Sequence, residues 1–278
     1  MYAEVNGTKL YYEVIGSGVP VYMLHGGLGY DHTVFRPWID PWAEKFKVVF
    51  YDHRGNGRSE RMSSMDDVTH DTFVEDIEAL RKFLGDEEFI LAGNSYGGVL
   101  GQEYALKYPD RLKGLVLITT LPVFDYPDVV SAIVHSRGTP EQIDVWTNEF
   151  PYPVKSDEHL ARIAKILMPL YFHDFDEQKI DEISEAVICR AVAWNRGFED
   201  LLPNWSILDR LKDLLTDTLV IGGTHDWITP VEQGAKRLHE NLPNSELMVF
   251  ENSGHFPFIE EQTRFLKEVG EWISKRGV

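Results

Sequence analysis

The sequence predicts an α/β fold in which a mostly parallel sheet is flanked by helices and interrupted by an inserted helical lid. Three observations carry this reading. Short apolar runs at residues 19–24, 46–51, 89–92, 115–118, 218–221 and 247–250 alternate with helical patterns, as repeated strand-helix units do. Between about 124 and 215 the alternation stops, and several aromatic-rich helical patterns follow one another. Lastly, the run 89–92 passes through Gly93-Asn94-Ser95-Tyr96-Gly97 into a helix predicted over Val99 to Tyr108 that Pro109 ends.

The elements justify themselves in order. Apolar alternation through Tyr2, Val5, Leu10, Tyr12 and Val14 around Asn6-Gly7 predicts an opening β-hairpin. The strand at 19–24 runs directly into His25-Gly26-Gly27-Leu28-Gly29, and the strand at 46–51 into Asp52-His53-Arg54-Gly55-Asn56-Gly57-Arg58-Ser59. From 72 to 84, Phe73, Ile77, Leu80, Phe83 and Leu84 recur at the spacing of an amphipathic helix. The central strand-turn-helix follows, then a buried strand at 115–118. Past Pro122 the pattern is helical, with Trp146, Tyr171, Phe172, Trp194 and Trp205 prominent and no convincing strand. The charge run from Asp174 to Glu185 reads as the wet face of one lid helix. Strands resume at 218–221 and 247–250, which divides the chain into a core (1–122 and 216–278) and a lid (123–215). No internal repeat or low-complexity segment is present.

Composition narrows the function. At 278 residues and 43% hydrophobic, the chain can bury one large core. A formal net charge of −18 opposes nucleic-acid binding, which needs a basic face. The single Cys189 excludes an internal disulfide framework and fits a reducing compartment. With no leader pattern and no apolar run approaching membrane-spanning length, a cytoplasmic protein off the membrane is expected. Oligomeric state is not readable from the sequence.

The chemistry centres on Ser95. A strand that reverses into a helix within so few residues needs small neighbours, so Gly93 and Gly97 let Ser95 stand at a strained tip with its hydroxyl exposed. A serine hydroxyl attacks only when a base takes its proton, and the base needs a carboxylate to hold its tautomer. Both belong in loops after later strands. The loop after 218–223 carries His225, Asp226 and Trp227, and the loop after 247–250 carries Gly254 and His255. The order Ser95, Asp226, His255 suits this strand arrangement. Asp226 has a plainer reading as a cap for the helix near Pro230, and Asp125, after the 115–118 strand, is its rival as the acid. His255 is one of ten histidines and has a plain reading as a satisfied loop residue. His225 is expected to be structural, and His25 to brace its loop.

An oxyanion needs two fixed donors. The amide of Tyr96 is one candidate, and Gly26-Gly27 supplies the other, with the Gly27 amide favoured. Arg54 is expected to pair with a nearby carboxylate. No Cys/His cluster has metal-ligand spacing and no glycine loop fits a dinucleotide, so no metal or cofactor is implied.

Together these residues place the sequence in the likeness of the α/β-hydrolase superfamily over nearly the whole chain outside the lid. Within it, His25-Gly26-Gly27-Leu28-Gly29, the segment Asp52 to Ser59 and Gly93-Asn94-Ser95-Tyr96-Gly97-Gly98 resemble the proline iminopeptidases. That resemblance implies metal-free removal of an N-terminal proline or other small residue from a short peptide, beneath a helical lid. Two positions depart from the family pattern: Leu28 stands in place of its proline, and Trp227 stands where some members carry an ammonium-binding glutamate after the triad aspartate. Glu199, Asp174 and Asp176 are the lid carboxylates left for that role, and Gly26, Trp227, Trp194 and Trp205 complete the expected substrate contacts.

The leading expectation is therefore a serine hydrolase of small esters or amides, with iminopeptidase-like cleavage its sharpest form. A carboxylesterase or lactonase is favoured by the apolar Trp227, and a C–C bond hydrolase shares the same triad. A non-catalytic binding protein on this fold is the alternative of another class. Retention of all three triad residues speaks against it.

Overall fold

The computed structural model describes residues 1–150, 153–174 and 176–277. Eight strands, β1 (Tyr2–Val5), β2 (Thr8–Ile15), β3 (Val19–Leu24), β4 (Phe46–Tyr51), β5 (Phe89–Asn94), β6 (Leu112–Ile118), β7 (Thr218–Gly223) and β8 (Ser245–Phe250), form one sheet. Their order is β1-β2-β4-β3-β5-β6-β7-β8. The β1–β2 hairpin turns at Asn6 and Gly7, whose φ values of +48° and +70° are the left-handed pair that a tight hairpin turn needs. Only the β1–β2 and β2–β4 pairings are antiparallel. From β4 across to β8 every pairing is parallel.

Register sets the site. Leu24 pairs with Gly93, Asn94 with Ile118, Ile118 with Ile221, and Gly223 with Phe250. The carboxyl ends of β3, β5, β6, β7 and β8 therefore finish at one edge, where ligand sites of open α/β sheets are built.

Helices α1 (His70–Leu84), α2 (Tyr96–Lys107) and α10 (Gln262–Arg276) cover the sheet. Helix α1 starts where Thr69 and Thr72 cap each other's backbone amides, and stops at Gly85 in the left-handed conformation. Its buried positions Phe73, Val74, Ile77 and Leu80 join Leu91, Val99, Leu100 and Tyr104 in one core, while α10 packs Phe265, Val269, Trp272 and Ile273 on the other face with Val21, Phe50 and Ile90. Between β6 and β7 lie α3 (Pro127–Arg137), α4 (Pro140–Asn148), α5 (Asp157–Leu167), α6 (Glu177–Ala186) and the short α7 (Ala191–Asn195). The charge run does lie along α6: Asp181, Glu182 and Glu185 are exposed, while Ile180 and Ile183 are buried. Two more short helices, α8 (Arg237–Asn241) and α9 (Pro257–Glu260), flank β8. None of the described helices is long and apolar enough to cross a membrane.

Helix α2 meets the sheet so closely that Gly97, in its first turn, has no room for a side chain. A Cβ on Gly97 would stand 2.2 Å from the carbonyl oxygen of Leu24, and one on Gly93 would stand 2.3 Å from that of Gly97. Backbone atoms cannot yield at such distances. Gly97→Ala is therefore expected to lower unfolding stability by at least ~2 kcal/mol in a denaturant titration. An unchanged midpoint would show that α2 has room to retreat.

Candidate active site

Ser95 begins α2 with φ +54° and ψ −120°, a left-handed conformation that a non-glycine residue adopts only when its surroundings impose it. The imposing contacts are the two glycines and the hydrogen bond from the Ser95 amide to the carbonyl of Ile118 (2.9 Å). Ser95 borders a cavity of about 360 Å³, within the size range of small-molecule sites. Gly26, Gly27, Tyr96, Trp194 and His255 border the same cavity.

Asp226 lies behind His255. The histidine Nδ1–H donates to Asp226 Oδ2 at 2.7 Å, an assignment that leaves Nε2 as the free ring nitrogen. The amides of Ile228 and Thr229 donate to Oδ1 (3.0 and 3.1 Å), and the Thr229 hydroxyl donates to Oδ2 (2.5 Å). Burial alone pushes the Asp226 carboxyl up. The imidazole and the Thr229 bonds outweigh that burial and hold it below the usual carboxylate value. Asp226 also touches the backbone as a cap would, so its two readings coexist in one residue. Asp125 is half exposed and paired with Arg237 at 2.7 Å, far from any role with His255.

The loop after β3 is braced from below. His25 Nδ1–H donates to the Gly26 carbonyl (2.8 Å) and its Nε2 accepts from the His53 amide (3.0 Å), as a neutral ring does. Burial holds its pKa below the ordinary histidine value. Arg54 forks onto Asp76 at 2.8 and 2.6 Å, the carboxylate pairing its position predicts. Further along the loop, Gly29 donates to the Asn56 side chain (2.6 Å) and accepts from the Arg190 amide (2.8 Å). Leu28 is fully buried against Gly197. His225 stacks on His173 with centroids 3.6 Å apart, outside the cavity lining.

Three expected substrate contacts lie elsewhere. Trp227 is fully buried and packs edge-on to Trp146 (5.4 Å) and Tyr171 (5.2 Å), so it backs the cavity wall rather than forming it. The turn that lays the Ile228 and Thr229 amides on Asp226 carries this ring into the core. Glu199 is exposed, because the helical turn Arg196–Leu201 buries Gly197 and Leu201 and leaves Glu199 in solvent. Trp205 donates to Glu103 at 2.6 Å and sits over His70, filling the seam against α2 instead of the cavity. The lid acids Asp174 and Asp176 are exposed as well, the latter capping α6.

The cavity wall is apolar. Trp146, Phe150, Leu167, Tyr171, Phe198 and Leu202 are among the apolar residues that line it. Among the described lining residues the one carboxylate is Asp31, which has no exposure and already accepts from Arg58 (2.8 Å), Ile188 (3.1 Å) and Thr33 (2.9 Å). Sequence reasoning missed Thr229, although Asp-x-x-Thr is a recognisable capping spacing. It also missed Tyr171, whose carbonyl accepts from the His255 amide at 2.6 Å and which no local pattern marks.

Comparison with known proteins bears on the family and the fold. A sequence model of the alpha/beta hydrolase fold matches residues 19–262. A proline iminopeptidase of Saccharolobus solfataricus is 30% identical, covering 99% of this chain and 92% of its own. Among solved structures, the proline iminopeptidase of Mycobacterium smegmatis superposes with TM-score 0.80 at 21% identity, covering 100% of this chain and 98% of its own. The enol-lactonase of Burkholderia xenovorans gives 0.79 at 21% identity, covering 99% and 100%. The two structures speak to the shared fold.

His70 lies beneath Tyr96, whose hydroxyl donates to its Nε2 at 2.9 Å. Burial pushes the His70 pKa down to about 4. An unfolded histidine takes its proton near ~6.5, so between these values the unfolded chain binds more protons. The stability His70 contributes is thus complete above pH ~6.5 and lost as pH falls toward 4. Unfolding titrations should show His70→Gln losing less stability than wild type across this window. Parallel curves would place His70 in solvent.

Proposed function

The chain belongs to the α/β-hydrolase fold family, and from that membership we propose a serine hydrolase that forms an acyl-enzyme at Ser95. Residues 1–122 and 216–278 serve as its catalytic core, and 123–215 as a helical cap. The observation that carries the proposal is the Asp226–His255 pair at 2.7 Å, beside a cavity that also holds Ser95 in its strained turn.

The steps follow from the groups present. His255 Nε2 takes the Ser95 proton as the oxygen adds to a substrate carbonyl. The amides of Tyr96 and Gly27 receive the oxyanion, and Asp226 stabilises the imidazolium without taking its proton. The imidazolium then protonates the leaving group, and a water activated by the same nitrogen releases the acyl group. Every proton moved belongs to the substrate, water or this chain, so the route needs no metal.

The substrate we propose is a small neutral ester or amide with an apolar acyl group. The apolar wall supports this, because a free α-ammonium held beneath the cap needs an unpaired carboxylate and Asp31 is already engaged. Proline iminopeptidase-like cleavage is the second reading, favoured by the name of the Saccharolobus relative.

Ser95→Ala should remove nearly all turnover while leaving the circular dichroism spectrum intact, the residue reflecting binding and oxyanion donors alone. Asp226→Asn should cost on the order of 10⁴-fold in kcat, with Asp125→Asn nearly silent. Substantial activity in the Ser95 variant on every substrate would end the proposal, and the reverse aspartate pattern would move the acid.

The substrate class is read from paired rates. Short-chain aryl esters should be hydrolysed at least as fast as proline arylamides, and Glu199→Gln should affect neither. A strong preference for the free amine, abolished by N-acetylation, would instead establish the peptidase reading.

A further inference from the structure

Strand β6 ends at Ile118, and the hydroxyls of the two residues after it bond to the backbone carbonyls of His255 and Ser95. Thr119 holds φ +42°, a left-handed conformation that is a genuine outlier for a β-branched residue. Outliers of this kind persist where surrounding structure over-determines them, and they gather at functional sites. Here the surroundings are identifiable. The Thr119 amide donates to Ile221 (2.8 Å), which keeps the backbone tied to β7. Its hydroxyl donates to the backbone carbonyl of His255 (2.8 Å) and accepts from the Asn94 side-chain amide (2.7 Å). Asn94 immediately precedes the nucleophile. The next hydroxyl, on Thr120, donates to the carbonyl of Ser95 itself at 2.6 Å. Both threonines are 1% exposed, so neither bond competes with solvent.

These contacts join elements far apart in sequence. Ser95 sits on the loop after β5 and His255 on the loop after β8, and β6 and β7 lie between those strands in the sheet. The strand pairings bring the two strand ends to one edge but make no bond between the loops beyond them. A dipeptide bonded to both carbonyls does.

We propose that Thr119 and Thr120 are positioning residues that set the separation of Ser95 and His255, with Asn94 closing the link. The inference rests on the reading of Ser95 as nucleophile and His255 as base. The strain at Thr119 is then what aims its hydroxyl at His255, since an extended backbone at that point would carry the side chain elsewhere. Satisfying buried polar groups is the plainer role for the same bonds, and it predicts a loss of stability with little change in the chemical step.

The test compares Thr119→Val, which keeps shape and removes the hydroxyl, with Thr119→Ser, which keeps the hydroxyl. Thr120→Val and Ser95→Ala run alongside, all assayed on a short-chain aryl ester. Misplacement by about 1 Å costs on the order of 10²-fold in rate, so Thr119→Val should lower kcat ~10–100-fold with KM within about two-fold. Thr119→Ser should recover most of that loss. If Thr119→Val does not fold, the same split of kcat from KM is read from Thr120→Val. Wild-type kcat in both valine variants, or a loss in Thr119→Ser equal to that in Thr119→Val, overturns the inference while Ser95→Ala remains inactive. Turnover persisting in Ser95→Ala overturns the reading beneath it instead.

Discussion

The site depends on one contact, the approach of the first turn of α2 to the backbone at the ends of β3 and β5. Two glycines make the approach possible, and the approach leaves Ser95 no ordinary conformation. Its left-handed backbone is the consequence of a helix pressed against a sheet, stabilised by burial of Val99, Leu100 and Tyr104 further along the same helix. The core therefore holds Ser95 in a geometry that the local chain would not choose. The loop after β3 inherits its place from the same contact, because Leu24, whose carbonyl faces Gly97, is the last residue of β3 before His25 and the two glycines that follow.

Charge is distributed to match. The chain carries a formal net charge of −18, yet the cavity is walled by rings and aliphatic chains, and its one carboxylate among the described lining residues is paired with Arg58. Several acidic residues lie outside: Asp125 on Arg237, and Glu199, Asp174 and Asp176 in solvent. These exposed carboxylates keep part of the excess negative charge on the surface, where it favours solubility. Asp31, Asp52, Asp76, Glu78 and Asp226 are buried instead, and Asp226 is held ionised by an imidazole, two amides and a hydroxyl.

What could be read from the sequence was whatever local rules govern. Asn6-Gly7 announced its hairpin because few other pairs tolerate two left-handed residues in succession. The strands after 19, 46, 89 and 218 were legible as buried apolar runs, and their order showed which loops would share an edge. Helix α2 begins three residues before the predicted start at Val99, since Tyr96, Gly97 and Gly98 form its first turn and no apolar periodicity marks them. The cavity wall was not legible. The inserted helices are apolar toward each other, the core and the cavity alike, and periodicity records burial without direction. Trp227 shows the limit well: its neighbour Asp226 fixes where it is in the chain, but the turn chemistry of Ile228 and Thr229 decides where the ring goes.

The stitching between Leu28-Gly29 and the segment from Arg190 to Gly197 has a consequence for how such a protein can change. Gly29 accepts from Arg190, Leu28 fills the space over Gly197, and a Cβ on Gly29 would meet Trp194 at 2.8 Å. Trp194 also borders the cavity. The residues that shape what fits are thus fastened to the loop that would receive the oxyanion. Exchanging the inserted helices for those of a cousin would import a foreign fastening, and the graft would disturb the loop even with every core residue retained. Recombination at the ends of the insertion is therefore a poor route to new selectivity for this lineage. Its accessible variation lies in compensated pairs, a change at Leu28 answered by one at Gly197, which keep the seam.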